Sequence, residues 1–492
     1  TPDIIQDVFG RRGFNDFQLK LTENYRPREY CVQYRETDHD FLCRLMEEDG
    51  IYFYFEHTAD KHTMVLADSK SSHTPVKGLA SVKFATDATG PQTRVEAVSE
   101  LTIQRSLQTG QYALNEYDYN KPNASMKTQS QEPTGYQYDQ LELYDYPGRY
   151  TETSDGDRFA KVRLEAKKAL DYRRTARGSA PALVPGALIK VEAHPESSEN
   201  IEHLIVRCSH NLSSQDYRSG GTDGTEYYGS YEFQPSDRAF RAPPRTPRPT
   251  VMGPQTAKVV GKEGEEIDVD EMGRILVQFH WDRQKDKSRR VRVAQTWSDK
   301  GWGAIMIPRI GQEVIIEYLE GDPDQPLCTG TVYNAEMTVP YELPANKTKN
   351  GFKSNSTKGG GGYNEFVFED KKNSEEIGLH AQKDLKVKVL NTETREIAEK
   401  FAGAGASRTT TLKMGDDKLD IKAGNQKVDI AQAQNVKAGS TVTIEAGASI
   451  TLKVGGSKIV IDPSGVAITG TAKVDINGGA AINAKAGIIK LN

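Results

Sequence analysis

From Val442 onward the apolar side chains keep to one parity: Val442 and Ile444; Ile450, Leu452 and Val454; Val460; Val466 and Ile468; Val474 and Ile476; Ile482. The step is eight residues. Gly439, Gly447 and Gly455 mark the same octad, and further turns fall at Pro463–Gly465 and at Gly478–Gly479. Each octad predicts a strand of about five residues and a turn in which Gly can take positive φ. Thr441, Thr443, Glu445, Thr451 and Lys453 occupy the alternate positions, so only one face is apolar. Weaker copies lie upstream in KVKV (386–389), KLDIKAG (418–424) and KVDIAQ (427–432).

Two or three inward Val or Ile per strand cannot fill the core of a single-chain β-helix. Three copies winding together can, because each presents a narrow apolar edge to a shared threefold axis and its strands pair with those of the other two. The octads therefore predict an intertwined trimeric β-prism over 385–492, with the apolar residues named above as its core. About 13 octads at ~4.8 Å each make a needle on the order of 60 Å long.

The pattern changes character upstream. In RETDHDFLCRLMEEDGIYFYFEH (35–57), Thr37 with Asp40 forms a capping-box-like start, Phe41, Leu42, Leu45 and Met46 share a helical face, and Gly50 stops the helix. Ile51, Phe53 and Phe55 then alternate with Tyr52 and Tyr54 at strand spacing. Glu36, Asp38, His39, Asp40 and His57 are the candidates for a metal or acid–base site; acidic residues in a first helical turn are better explained by the helix dipole. Short β-like pieces from 90 to 235, with a helix at about 157–174, predict a barrel with insertions. Pro243, Pro244, Pro247, Pro249 and Pro254 make 240–254 a stiff linker.

Residues 255–334 alternate again, with Ile275, Val277 and Phe279 in phase, and about five strands in ~80 residues suit a small barrel of the OB type. That fold often binds oligonucleotides, but 11 Lys/Arg stand against 14 Asp/Glu here, which argues against a nucleic-acid groove. Residues 335–384 read as a polar, Gly-rich bridge; Gly359–Gly362 is not followed by the G-K-[ST] of a phosphate loop. The expected fold is mainly β: a hub barrel with short helices (1–239), the linker, the OB-type barrel, the bridge and the needle.

Composition narrows the function. The 492 residues carry 64 basic and 69 acidic side chains, a net charge of −5, and the mean hydropathy is −0.65. Neither nucleic acid nor an anionic membrane is indicated as a partner. No apolar run approaches the ~18 residues of a membrane span. Cys31, Cys43, Cys208 and Cys328 are widely spaced and read as thiols of a reducing compartment. No metal or cofactor set, no G-x-S-x-G and no H-E-x-x-H is present, so no enzymatic activity is expected. A receptor-binding fibre would show aromatic-rich loops between 437 and 492, which are missing.

REYCVQYRETDHDFLCRLMEEDGIYFYFEH (28–57), DEMGRILVQFHWDR (270–283), WGAIMIPRIGQEVIIEYLEGDPDQPLCTGTVYN (302–334) and STKGGGGYNEFVFEDKKNSEEIGLHAQKDL (356–385), followed by the octads, resemble the VgrG family, the valine-glycine-repeat spikes of bacterial type VI secretion systems. The resemblance implies a homotrimer whose hub sits on a tube of Hcp, the haemolysin-coregulated protein. It also implies a PAAR-repeat cone on the needle tip, with Ile488, Ile489, Leu491 and Asn492 as tip-binding residues, and effector or adaptor proteins as cargo. Such a protein is assembled in the bacterial cytoplasm and injected without a signal peptide. Family members begin with a further barrel of roughly a hundred residues that is expected to be lacking before Thr1, and no toxin or lysozyme module is expected after the needle. The alternative of the same shape is the hub and spike of a contractile phage or phage-like particle.

Overall fold

A computed structural model describes residues 1–86, 96–133, 135–213, 226–285, 288–398 and 406–490. They form two compact units, Thr1–Lys386 and Val387–Asn492.

The first unit opens with α1 (Pro2–Arg12), which buries Ile5 and Val8 against α2 (Asp38–Asp49). Local chemistry fixes both ends of α2. The Thr37 hydroxyl accepts from the Asp40 amide at 3.1 Å, and Gly50 takes φ 77° while its amide caps the Met46 carbonyl. A Cβ on Gly50 would lie 2.7 Å from the Val162 side chain, so this turn also lets α3 (Thr153–Lys168) approach closely. Phe41, Leu42, Leu45 and Met46 are buried as their spacing predicts. In the following strand, Tyr52–His57, the phenols turn inward and the phenyl rings of Phe53 and Phe55 outward. The buried hydroxyls find partners: Tyr54 donates to the Ser72 carbonyl at 2.8 Å, and Tyr52 bonds His73 Nε2 at 2.8 Å.

Six strands close a barrel in the order Glu202–Ser213, Glu226–Pro235, Arg173–Gly178, Ala97–Gln104, Ser81–Phe84 and Ala187–Glu192, the last pairing back with the first. Val82, Val98, Ala176, Ile189, Val191, Ile205, Tyr231 and Phe233 fill it. α3 ends at Lys168, earlier than the predicted 174, because Tyr172 turns through φ 60° and the chain enters the barrel at Arg173. Inside, Arg174 Nε and Nη2 donate to the two oxygens of Glu199 at 2.7 and 2.9 Å. Burial alone would raise the Glu199 carboxyl, but this fork holds it below its ordinary range.

The linker 240–254 carries no helix or strand and is pinned to the helical region, where Arg241 donates to Glu165 at 2.7 Å and Arg248 to Glu48 at 2.7 Å. A second barrel follows: Leu276–Phe279, Gln255–Val260, Glu313–Tyr318, Pro326–Val332 and Arg292–Val293, closed by the bridge between Ile275 and Val291. Ile275, Val277 and Phe279 are all buried in its core, in the phase that the sequence predicts.

Candidate assembly surface

Within the C-terminal unit the predicted needle residues form a surface. Val442, Ile444, Leu452, Val454, Val466, Ile468, Val474, Ile476 and Ile482 are all exposed, Val454 to 83%, while Ile450 and Val460 are partly covered. Three strands, Ile450–Val454, Ser457–Asp462 and Gly465–Thr469, make an antiparallel meander. Its first turn is Gly455-Gly456, with Gly455 at φ 56°; at its second, Asp462 accepts from the Ser464 amide at 2.8 Å. The other described octads, including 442–444 and 474–476, pair with no strand of the same chain, so among the described octads pairing within one chain is confined to 450–469.

The register divides the predicted core residues of this meander between two faces. Ile450 pairs with Ile461 and Leu452 with Ile459, which pair in turn with Val466 and Ile468. These residues share one face with Val454. Val460 pairs with Thr451 and Ala467 and lies on the other face. A two-residue turn sets even positions opposite odd ones, so the parity inverts for one strand and is restored in the next. Ile488 and Ile489 are exposed; Leu491 and Asn492 lie outside the described residues.

A second apolar face sits in the first unit, in the segment read from sequence as a polar bridge. Lys349–Lys353, Glu365–Glu369 and Glu376–His380 form an antiparallel sheet. Phe352, Phe366 and Leu379 stand in one row and Phe368 and Ile377 in the next, all on one side. Four of the five are exposed, Ile377 to 70%. EIGLH alternates, but EFVFE is apolar at three consecutive positions and both stand in glycine-rich surroundings, which hides the face in the sequence.

The polar candidates disperse into local structural roles. Asp38 binds Arg12 at 2.6 Å, which holds its carboxyl below the usual range. Glu36 pairs with Arg44 at 2.8 Å, Asp40 serves the Thr37 cap, and His39 lies beside the Cys43 thiol. His57 faces His62, with 2.6 Å between their Nδ1 atoms. Among the described residues no group of three or more His, Cys, Asp or Glu is arranged to hold a metal, and no helix is long and apolar enough to cross a membrane.

A cavity of about 450 Å³ opens where the helical region, the linker and the second barrel meet. Its charges pair across the seam, Arg248 with Glu48, Asp322 and Asp324 at 2.7, 3.6 and 3.9 Å and Arg149 with Asp322 at 3.4 Å, while Arg28 holds Glu48 from within the helical region at 3.2 Å. Asp324 also accepts from the Val32 amide at 2.7 Å. Burial, with Asp322 nearby, raises its carboxyl to about 6. The arrangement joins elements and leaves no unpaired nucleophile–base couple facing the cavity among these residues.

Comparison with known proteins agrees with this architecture. Residues 1–216 match the phage tail baseplate hub family, 255–333 the type VI secretion system/phage-baseplate injector OB domain, and 350–461 the bacteriophage T4 gp5 C-terminal trimerisation domain. The type VI secretion system spike protein VgrG1b of Pseudomonas aeruginosa is 42% identical over 419 residues, covering 84% of this chain and 56% of that protein. The actin cross-linking toxin VgrG1 of Vibrio cholerae is 35% identical over 505 residues, 99% of this chain and 45% of that one. The chain thus spans about half the length of these relatives. A solved E. coli type VI secretion component, described as similar to T4 bacteriophage tail proteins gp27 and gp5, aligns at 20% identity and a TM-score of 0.45 over 67% of this chain and 71% of that one. The hub, OB and trimerisation matches, in this order, together with identities of 35–42% over most of its length, make this chain a member of the VgrG family of type VI secretion spike proteins.

Proposed function

We propose that the chain is the trimeric puncturing spike of a type VI secretion apparatus, a mechanical device that concentrates force and makes or breaks no covalent bond. The observation that carries this reading is the one-sided apolar strip of the C-terminal unit, exposed in a single chain, whose first part, through residue 461, lies within the match to a trimerisation domain. Burying a Val or Ile there contributes ~1.5–3 kcal/mol each, so folding of the needle and association of three chains are one event. Residues 1–239 serve as hub on an Hcp tube, 240–254 as linker, 255–334 as OB collar, 335–384 as bridge and 385–492 as needle. Ile488, Ile489, Leu491 and Asn492 meet a PAAR-repeat tip protein that brings effectors or adaptors. The protein is assembled in the bacterial cytoplasm and injected into the target.

Light scattering after size exclusion tests the trimer: the expected mass is about three times 54.5 kDa, and a stable monomer overturns the proposal. A zymogram on cell-wall substrate is expected to stay uncleared; clearing would assign a hydrolytic function instead. The toxin activity in the name of the V. cholerae relative belongs to that protein, less than half of whose length aligns with this chain. A phage or phage-like spike is the second reading, and relatives named type VI spike proteins at 42% identity favour the first.

A further inference from the structure

In the OB domain a small hairpin, Ser298–Asp299 with Trp302–Gly303, stands outside the five-stranded sheet. It is tightly braced. Gly301 turns through φ 78°, and a Cβ on Gly303 (φ 134°) would fall 2.5 Å from the Trp297 carbonyl oxygen. The Ala304 amide donates to that carbonyl at 2.9 Å. Gln295 clamps Met306 from both sides, accepting from its amide at 2.8 Å and donating to its carbonyl at 3.1 Å.

The brace carries an apolar knob. The Trp297 and Trp302 rings meet edge to face with centroids 4.9 Å apart, and each indole is more than half exposed. Ile305 and Met306, beside them in the chain, are exposed to 73% and 55%. Scattered apolar residues on a surface need no explanation, but four large ones on one rigid loop mark a contact, and Trp is enriched where contacts carry most of their energy. Just beyond, Arg309 Nη2 donates to the Asn355 carbonyl at 2.7 Å. That bond ties the segment leaving the knob to the chain two residues past Lys349–Lys353, the first strand of the sheet whose face bears Phe352, Phe366 and Leu379, at the start of the trimerisation match.

We propose that the Trp297–Trp302 hairpin docks on the neighbouring copy of this chain, as an OB-level contact that orients the three OB domains relative to one another. This inference rests on the trimeric reading. A second copy is the occupant because the knob is continuous, through Arg309 and Asn355, with the sheet that opens the trimerisation segment. A threefold ring also needs heterologous contacts, in which a raised feature of one copy meets a different surface of the next.

Trp281, Trp297 and Trp302 are the three tryptophans of the chain, so in Trp281→Phe the emission selected by exciting indole alone comes from the knob. In that background the assembled protein is expected to emit at shorter wavelength than its Ile468→Asp form, with acrylamide quenching roughly threefold weaker. Trp302→Ser with Trp297→Ser is expected to lower the temperature at which the trimer dissociates. If the unsubstituted chain is monomeric, the spike reading itself falls. A trimer whose indoles stay as open to acrylamide as those of the Ile468→Asp form overturns the hairpin contact alone. Protection that appears only on adding a different protein also overturns it and assigns the knob to that partner.

Discussion

Arg174 and Glu199 are joined inside the hub barrel by two parallel bonds of 2.7 and 2.9 Å, with both side chains sealed from solvent. The remaining guanidinium nitrogen, Nη1, donates to the Tyr172 carbonyl at 2.7 Å, and the Tyr172 ring centroid lies 3.8 Å from the guanidinium carbon. Glu199→Gln leaves a buried cation without its counter-charge, and the expected loss is ~3–5 kcal/mol. Glu199→Leu combined with Arg174→Met removes both charges and is expected to recover much of that loss. Urea unfolding monitored on the hub checks this; a double variant no better than Glu199→Gln would show that the barrel needs the fork's shape and not its charge balance.

His203 gives the same barrel a pH limit. It is fully buried, 3.9 Å from the Glu199 carboxylate and beside the Phe233 ring, and its burial pushes it down to about 4, with Arg174 adding to the effect. The folded state therefore holds the neutral ring while the unfolded chain takes up a proton below about 6.5. Stability is full above that value and is lost as pH falls toward 4, by up to roughly 3 kcal/mol. A His203→Leu variant is expected to show a much shallower decline in melting temperature between pH 6.5 and 4.5, and an unchanged slope would place the acid sensitivity elsewhere.

Asp324 works in the opposite sense. Its folded carboxyl is raised to about 6 by burial and by Asp322, against the pull of Arg248, Arg44 and the Val32 amide. The fold binds that proton more tightly than the unfolded chain does, so the seam gains stability as pH falls through 6 and carries a penalty above it. Asp324→Asn keeps the acceptor for Val32 and removes the charge. It is expected to be more stable than the parent at pH 7.5, by roughly 1–3 kcal/mol, with the gap closing toward pH 4. A constant gap across that range would mean that Asp324 is not the titrating group.

What the sequence made legible was local or periodic. The Thr37 cap, the Gly50 stop, the in-phase Ile275, Val277 and Phe279 and the one-faced octads each report their structure within a few residues. The closure of the hub barrel does not, because Ser81–Phe84 pairs with Ala187–Glu192, and Ala97–Gln104 with Arg173–Gly178, across insertions that hide the order. The Phe352 sheet was lost for another reason. Phe366, Val367 and Phe368 are consecutive apolar residues, so no alternation shows which side is the face, and neighbouring glycines suggest a loop. The knob at Trp297 and Trp302 was passed over because two aromatics on a hairpin read as strand content.

The assembly surface itself faces the sharpest test at the strand Ser457–Asp462, where Ile459, Val460 and Ile461 are all apolar and parity alone cannot choose between them. Even-numbered positions throughout would put Val460 on the threefold axis. The register instead groups Ile459 and Ile461 with Ile450, Leu452, Val466 and Ile468, and puts Val460 with Thr451 and Ala467. A carboxylate on the axis would be repeated three times in one dry core, where an unpaired charge is not tolerated. Ile461→Asp, like Ile468→Asp, is therefore expected to abolish the trimer in light scattering, while Val460→Asp retains most of it. The reverse outcome, with Val460→Asp monomeric and Ile461→Asp assembled, would show that the strand turns over when three chains wind together and that the uninterrupted octad parity governs the needle.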